Sequence, residues 1–254
     1  MITRIEVGEL TPDVVSKQGV VCINVGRKLS PEQLVEIACI IGKPQAFHLQ
    51  KYRPSYFPPE VTLLDNRGDS ISAAPSGFGE GWHQDSTYLP NPPEFTVLHA
   101  IEVPDCGGDT LFADTRPAML ALSSTDVTTL SKLTLVHALT STYRIAASDA
   151  GKTLGELMAQ LPRTSHPIVM HHPRGGTTLC ISPLYSNENV VPEARELYDR
   201  VLREVIRGEV AHRWRAGEVL IWDNRVVLHA ATVYLGEQRR TLMRSVVRDT
   251  GEEQ

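Results

Sequence analysis

Apolar residues along this chain fall into short runs parted by glycine and proline, and only a few stretches repeat at helical spacing. Val20-Val21-Cys22-Ile23-Asn24-Val25 is β-branched and predicts a strand. Ser30-Pro31-Glu32-Gln33 reads as a helix start, with Ser30 as the N-cap, Pro31 at the first helical position and Gln33 where a capping box needs its third residue. Leu34, Ile37, Ala38 and Ile41 then recur on one helical face, and Gly42 closes the helix. Phe95 to Ile101 predicts another strand, in which His99 is expected to be a hydrogen-bonded core histidine. Gly107-Gly108 marks a turn before a strand carrying Thr110. Further helices are expected from Pro117 to Leu122, Thr125 to Leu133, Thr153 to Leu161 and Pro192 to Ile206, the last presenting Ala194, Leu197, Val201 and Val205 on one face. A final strand, Arg240 to Arg248, places Arg240, Leu242, Arg244, Val246 and Arg248 on one side.

This alternation predicts a mainly β chain of the α+β class, with a jelly-roll core and helices at the N-terminus and in insertions. The length of 254 residues, without internal repeat or low-complexity tract, fits a single domain over 1–254. A net charge of -5 with interspersed signs and no basic run argues against a nucleic-acid surface. Met1-Ile2-Thr3-Arg4-Ile5-Glu6 lacks the blocks of a signal peptide, and no apolar segment is long enough to span a bilayer, so a cytoplasmic protein without membrane partners is expected. The four cysteines are scattered and suggest neither a zinc knuckle nor a disulfide framework; Cys22 and Cys39, in apolar runs, are expected to be buried free thiols.

The candidate chemistry lies in Gly81-Trp82-His83-Gln84-Asp85. On an extended chain His83 and Asp85 share a face, and one more histidine would complete the two-histidine, one-carboxylate set that holds Fe(II) with three positions open. Alone, H-x-D reads as readily as a surface pair. The downstream stretch Trp222-Asp223-Asn224-Arg225, an apolar run ending at His229, and the basic strand from Arg239 to Arg244 change that weighting. Adjacent His171 and His172 point to opposite strand faces and are read, with His166, as part of a hairpin turning at Arg174-Gly175-Gly176 and returning through Thr178 to Ile181.

The order of these motifs resembles the taurine dioxygenase-like (TauD/TfdA) family of Fe(II)- and 2-oxoglutarate-dependent oxygenases: H-x-D, a distal histidine after W-D-N-R, and an arginine eleven residues beyond it, here Arg240. Gly107-Gly108-Asp109-Thr110 resembles the family's G-G-D-T segment. The resemblance implies a double-stranded β-helix with metal ligands His83, Asp85 and His229, which are also its catalytic residues. It implies Fe(II) with 2-oxoglutarate and O2 as cosubstrates, and Arg240 with Thr110 gripping the distal carboxylate of 2-oxoglutarate. Arg244, at the position where relatives hold an acidic group of the primary substrate, implies a small anionic substrate. Gly79 stands where the taurine enzyme has a polar contact, which argues against taurine. The implied reaction couples decarboxylation of 2-oxoglutarate to succinate and CO2 with oxidation, principally hydroxylation, of a C-H bond; Asp85 argues for oxygen transfer over halogenation. Relatives are often dimers or tetramers.

Around this site, the Gly-, Ser- and Pro-rich loop 66–80 reads either as a substrate lid, with Phe78 as its substrate contact, or as a plain connection, and 143–164 reads as an insertion at the mouth. Trp222 is expected beside the site, Asp223 and Asn224 in a turn, and Arg225 paired with a carboxylate near the metal. Two other readings compete: a jelly-roll hydrolase or isomerase using Zn(II) or Mn(II), which needs no Thr110–Arg240 anion clamp, and a non-catalytic binding module, in which the three ligands need not be intact.

Overall fold

The computed structural model describes residues 2–46, 53–66, 81–138, 162–186, 190–232, 234 and 237–250. Most of loop 66–80 with Phe78 and Gly79, most of the 143–164 insertion and the helix expected at Thr153 to Leu161 lie outside the described residues.

Fourteen strands are formed among the described residues: β1 (Thr3–Arg4), β2 (Val20–Asn24), β3 (Lys43–Gln45), β4 (Thr62–Asp65), β5 (Phe95–Glu102), β6 (Thr110–Asp114), β7 (Thr134–His137), β8 (Thr164–Pro167), β9 (Val169–His171), β10 (Thr177–Leu179), β11 (Val210–His212), β12 (Glu218–Asp223), β13 (Val227–Ala231) and β14 (Thr241–Arg248). The α-helices are α1 (Pro12–Gln18), α2 (Pro31–Ile41), α3 (Thr115–Ala121), α4 (Ser124–Leu130), α5 (Pro183–Ser186) and α6 (Pro192–Arg207). The larger sheet runs β1-β2-β12-β5-β14-β3, with β4 also pairing β14, and the smaller runs β11-β6-β13. Two further two-stranded ladders, β7 with β8 and β9 with β10, stand outside these sheets. All these pairings are antiparallel except β1 with β2.

Two-residue alternation divides the central strands between two apolar layers. Phe95, Val97, Val219, Ile221, Met243 and Val247 face α2 and pack with its Leu34, Ile37, Ala38 and Ile41. Leu98, Ala100, Leu220, Trp222 and Leu242 point the other way and meet Phe112 and Val227 of the smaller sheet. The outer side of the smaller sheet is covered by α3 and α6 through Ala118, Tyr198, Val201 and Val205. The result is the expected double-stranded β-helix.

The capping box at Ser30 and Gln33 forms as expected. Cys22 is buried, but Cys39 is exposed, which corrects the expectation for it: it turns away from the face that α2 buries. The helix expected from Pro117 begins at Thr115, because the Asp114 carboxylate accepts the Arg116 N–H and caps it earlier. Leu197 packs at the margin of the α6 interface, and Tyr198, not anticipated, occupies its centre. His99 is the expected core histidine: Nε2 accepts the Leu29 N–H at 3.0 Å and Nδ1 lies 3.1 Å from the Glu218 carbonyl.

Candidate active site

The H-x-D stretch is held by the strand that carries the distal histidine. His83 N–H donates to the His229 carbonyl at 3.0 Å and His229 N–H returns to the His83 carbonyl at 2.9 Å, an isolated antiparallel bridge extending β13. One side-chain nitrogen or oxygen from each of His83, Asp85 and His229 lies within 4.8 Å of the other two. His83 Nε2 is 3.7 Å from Asp85 Oδ1, and His229 Nε2 is 3.8 Å from Asp85 Oδ2. All three residues are buried. His83 and Asp85 converge although only His83 is bridged to a strand and Asp85 opens a turn, and the fold supplies the third group.

The donor set fits a hard-to-borderline divalent ion with open positions. His83 Nδ1 lies 2.9 Å from the Gly81 carbonyl, which fixes the tautomer that leaves Nε2 unprotonated toward the cluster. Burial pushes both imidazoles down, His229 to about 3 with help from neighbouring His83, so both are neutral donors at physiological pH. Burial acts to raise the Asp85 carboxyl, but Arg244, the two imidazoles and the Thr96 hydroxyl outweigh it and hold the group well below the usual carboxylate range. Two neutral imidazoles and one carboxylate are the donors of non-haem Fe(II) oxygenases.

The residues expected to bind anions line the same small cavity, about 40 Å³, bounded by His83, Asp85, Thr110, His229, Arg240 and Arg244. Gly108 (φ +70°) turns the chain so that its carbonyl accepts Arg240 Nε–H at 2.9 Å. Arg240 is held further by its backbone N–H, which donates to Asn66 Oδ1 at 2.9 Å, and burial lowers the guanidinium to about 10. The Trp214 indole N–H donates to Thr110 Oγ1 at 3.0 Å. With that acceptor position taken, the threonine proton is left for another acceptor. Arg244 is buried on the interior face of β14 with NH1 at 3.4 Å from Asp85 Oδ1, so it adjoins the His83–Asp85–His229 set. Arg248, expected on the same face, reaches the Asn91 carbonyl at the margin. A larger cavity, about 510 Å³, shares Asp85 but includes neither histidine of the cluster.

Around Trp222 three residues depart from the sequence expectation. Trp222 does sit beside the site, its ring 4.7 Å from that of His229. Arg225, expected to pair near the metal, instead forks onto Asp223 and reaches Asp249. Asp223 is no mere turn residue: fully buried, it also accepts the Ser16 hydroxyl at 2.6 Å and lies 3.0 Å from His172 Nε2. Asn224, also expected to serve a turn, projects its amide to the backbone and neighbours of Asp85. Neither His171 nor His172 joins the cluster; His171 is exposed, and His166 Nε2 lies 2.8 Å from the Thr87 carbonyl.

A second group with metal-binding atoms within 4.8 Å, Cys22, His212 and Glu218, is satisfied otherwise. The Glu218 carboxylate lies 3.0 Å from His212 Nε2 and accepts the Arg215 N–H at 2.9 Å and Arg4 at 3.0 Å. Burial raises the Cys22 thiol to about 11, against the thiolate a metal needs.

A jelly roll that gathers two neutral imidazoles and a carboxylate at one end, with an arginine–threonine pair in the same cavity, defines the class of Fe(II)- and 2-oxoacid-dependent oxygenases. The comparisons narrow the class. Residues 8–246 match the profile of the taurine catabolism dioxygenase TauD, TfdA family, and the chain belongs to that family. It is 33% identical over 240 residues, 88% of this chain and 83% of the relative, to the alpha-ketoglutarate-dependent 2,4-dichlorophenoxyacetate dioxygenase of Cupriavidus pinatubonensis. It is 33% identical over 191 residues to the alpha-ketoglutarate-dependent sulfonate dioxygenase of Saccharomyces cerevisiae, covering 69% of this chain and 44% of that longer protein. A taurine dioxygenase structure from Burkholderia xenovorans superposes with a TM-score of 0.73 at 25% identity, over 97% of this chain and 86% of that one. The protein is thus an oxidoreductase, a dioxygenase that uses Fe(II), 2-oxoglutarate and O2. No helix among the described residues is long and apolar enough to cross a membrane.

Proposed function

We infer that this dioxygenase hydroxylates a C-H bond of a small anionic substrate, with His83, Asp85 and His229 holding the iron, Arg240 and Thr110 holding the far carboxylate of 2-oxoglutarate, and Arg244 facing the anionic end of the substrate. One observation carries the reading: three metal-binding side chains and the Arg240–Thr110–Arg244 set line one buried cavity. The relatives support the substrate class, since a phenoxyacetate and a sulfonate are both small organic anions. The hydrolase and binding-module readings need no arginine–threonine pair in this cavity, where the desolvated Arg240 guanidinium calls for an anionic partner.

When bound, Fe(II) with 2-oxoglutarate supplies the O2-activating chemistry that oxidises the C-H bond. The chain's own contribution is positional. The reciprocal backbone bridge fixes His83 against His229, and the Gly81 carbonyl holds the proton on His83 Nδ1. Arg240, oriented by Gly108 and Asn66, presents its guanidinium beside Thr110, so a carboxylate entering there meets a charge-assisted donor and a hydroxyl proton together. Leu98, Leu242 and Trp222 make the remaining wall apolar, which strengthens each of these polar contacts.

The test is anaerobic titration of the Fe(II) protein with 2-oxoglutarate, followed by the visible charge-transfer band of the chelate. The wild type should show the band and His229→Ala should lose it; Fe(II) binding without a band would refute the cosubstrate assignment. Succinate release then screens carboxylates, sulfonates and sulfate esters, with comparable neutral compounds as controls.

A further inference from the structure

Asp85 is not held by the metal-binding groups alone. Oδ1 lies 3.4 Å from Arg244 NH1, a long contact, whereas Oδ2 accepts the Thr96 hydroxyl at 2.7 Å, and Thr96 Oγ1 in turn accepts Asn224 Nδ2–H at 2.9 Å. The orientation of the Asn224 amide is settled by its surroundings. Its Oδ1 faces two donors, the Trp222 indole N–H at 2.9 Å and the Asp85 backbone N–H at 3.3 Å, whereas Nδ2 faces the Pro93 carbonyl at 3.2 Å as well as Thr96. A flipped amide would oppose donor to donor on one side and acceptor to acceptor on the other. With Nδ2–H occupying a lone pair of Thr96, the threonine proton has Asp85 Oδ2 as its acceptor. Thr96 is fully buried and Asn224 nearly so.

We propose that Asn224 and Thr96 are positioning residues that tie down one oxygen of Asp85, so that the aspartate ligates through its other oxygen only and three metal positions stay open. A carboxylate free to bind through both oxygens would take one of those positions. Two are needed to chelate 2-oxoglutarate and the third is needed for O2, so a two-toothed Asp85 would accept the cosubstrate yet leave no room for oxygen. Thr96 also explains why a polar residue stands on the inward face of β5, where its companions Leu98 and Ala100 are apolar. The inference rests on His83, Asp85 and His229 being the ligands.

The test uses Mn(II) as the probe and reads exchangeable inner-sphere water by solvent-proton relaxation, with no turnover involved. Wild-type protein should hold about three exchangeable waters, because three protein ligands leave three sites on a six-coordinate ion. Thr96→Val keeps the shape and removes the hydroxyl, and should hold about two, falling to none when 2-oxoglutarate is added; Thr96→Ser should return to the wild-type count. If Thr96→Val does not fold, as judged by circular dichroism, Thr96→Ala carries the same expectation. A hydroxyl-free variant that keeps the wild-type water count overturns the proposal while leaving the ligand assignment intact. Mn(II) binding that survives His229→Ala at wild-type affinity overturns the ligand assignment, and the proposal with it.

Discussion

Replacing Gly108 by alanine separates the grip on 2-oxoglutarate from the stability of the fold. Gly108 has φ +70°, and a β-carbon built there lies 2.9 Å from Arg240 Cδ and 3.1 Å from Arg240 Nε. Neither atom is the loose end of a side chain, because Nε is bonded to the Gly108 carbonyl itself. The arginine must therefore shift by several tenths of an ångström, and its guanidinium turns away from Thr110. A forked arginine–carboxylate grip is two charge-assisted hydrogen bonds of roughly 1.5–3 kcal/mol each, so losing one should weaken 2-oxoglutarate binding by about 10- to 100-fold. Gly107 supplies the control. It too has positive φ, +78°, but its β-carbon would meet the Tyr234 ring at 3.1 Å and not Arg240. The left-handed backbone costs each alanine variant roughly 1–2 kcal/mol, offset by up to about 1 kcal/mol from the stiffer unfolded chain. Both melting temperatures should then fall by a few degrees, at about 2–4 °C per kcal/mol for a chain of this size. Anaerobic titration of the charge-transfer band should show a raised dissociation constant for Gly108→Ala alone. Equal constants in the two variants, with similar melting temperatures, would refute the assignment of Arg240 as the 2-oxoglutarate anchor.

Three further outcomes are expected. Arg244→Leu should raise the Michaelis constant of the primary substrate more than that of 2-oxoglutarate; because Arg244 also adjoins Asp85, Mn(II) affinity is measured alongside, and equal effects on both constants would count against a role in substrate binding. Asp223→Asn removes the buried carboxylate that Arg225, Ser16 and His172 share and leaves Arg225 to Asp249, a loss of roughly 1.5–3 kcal/mol that calorimetry should record as a melting point lower by about 5–10 °C, whereas a shift under about 2 °C would mean that the cluster is not a structural tie. His137, buried beside His166, is pushed down to about 3 by desolvation and by that neighbour, so below about pH 6.5 the unfolded chain takes up a proton that the folded chain refuses. Folding stability should therefore fall as the pH drops from about 6.5 toward 3, by about 2 kcal/mol at pH 5 from this residue; in urea titrations His137→Gln should close that gap with the wild type, and parallel pH curves would contradict it.

What could be seen in the sequence was what repeats or stands at fixed local spacing. Leu34, Ile37, Ala38 and Ile41 announce α2 by period, and His83 with Asp85 announces shared direction by a two-residue step. Arg240 stands out only through its offset from His229 in a recognised pattern, since nothing local distinguishes a desolvated arginine from a solvated one. Arg225 shows the limit of such reading. Its charge promised a carboxylate, but which one depended on the crossing of β12 with α1 and the chain's end, and the partners proved to be Asp223 and Asp249.

The support of Asp85 was out of reach for the same reason. Thr96 and Asn224 are 128 residues apart, and each alone has an ordinary explanation: a threonine in a β-rich run, and an asparagine after an aspartate at a turn. One feature did point inward. In the apolar alternation of Phe95 to Ile101, Thr96 and Leu98 fall on one face, and a lone hydroxyl on a core face needs a partner because burying it unbonded is costly. Sequence shows that such a partner is required but not who it is. Only the pairing of β5 with β12, which sets Thr96 opposite Trp222 and brings Asn224 alongside, makes that partner the metal-binding aspartate. The ligands are thus encoded locally and their orientation globally, so a substitution at Thr96 should disturb the metal's surroundings while leaving every residue of the recognisable motif in place.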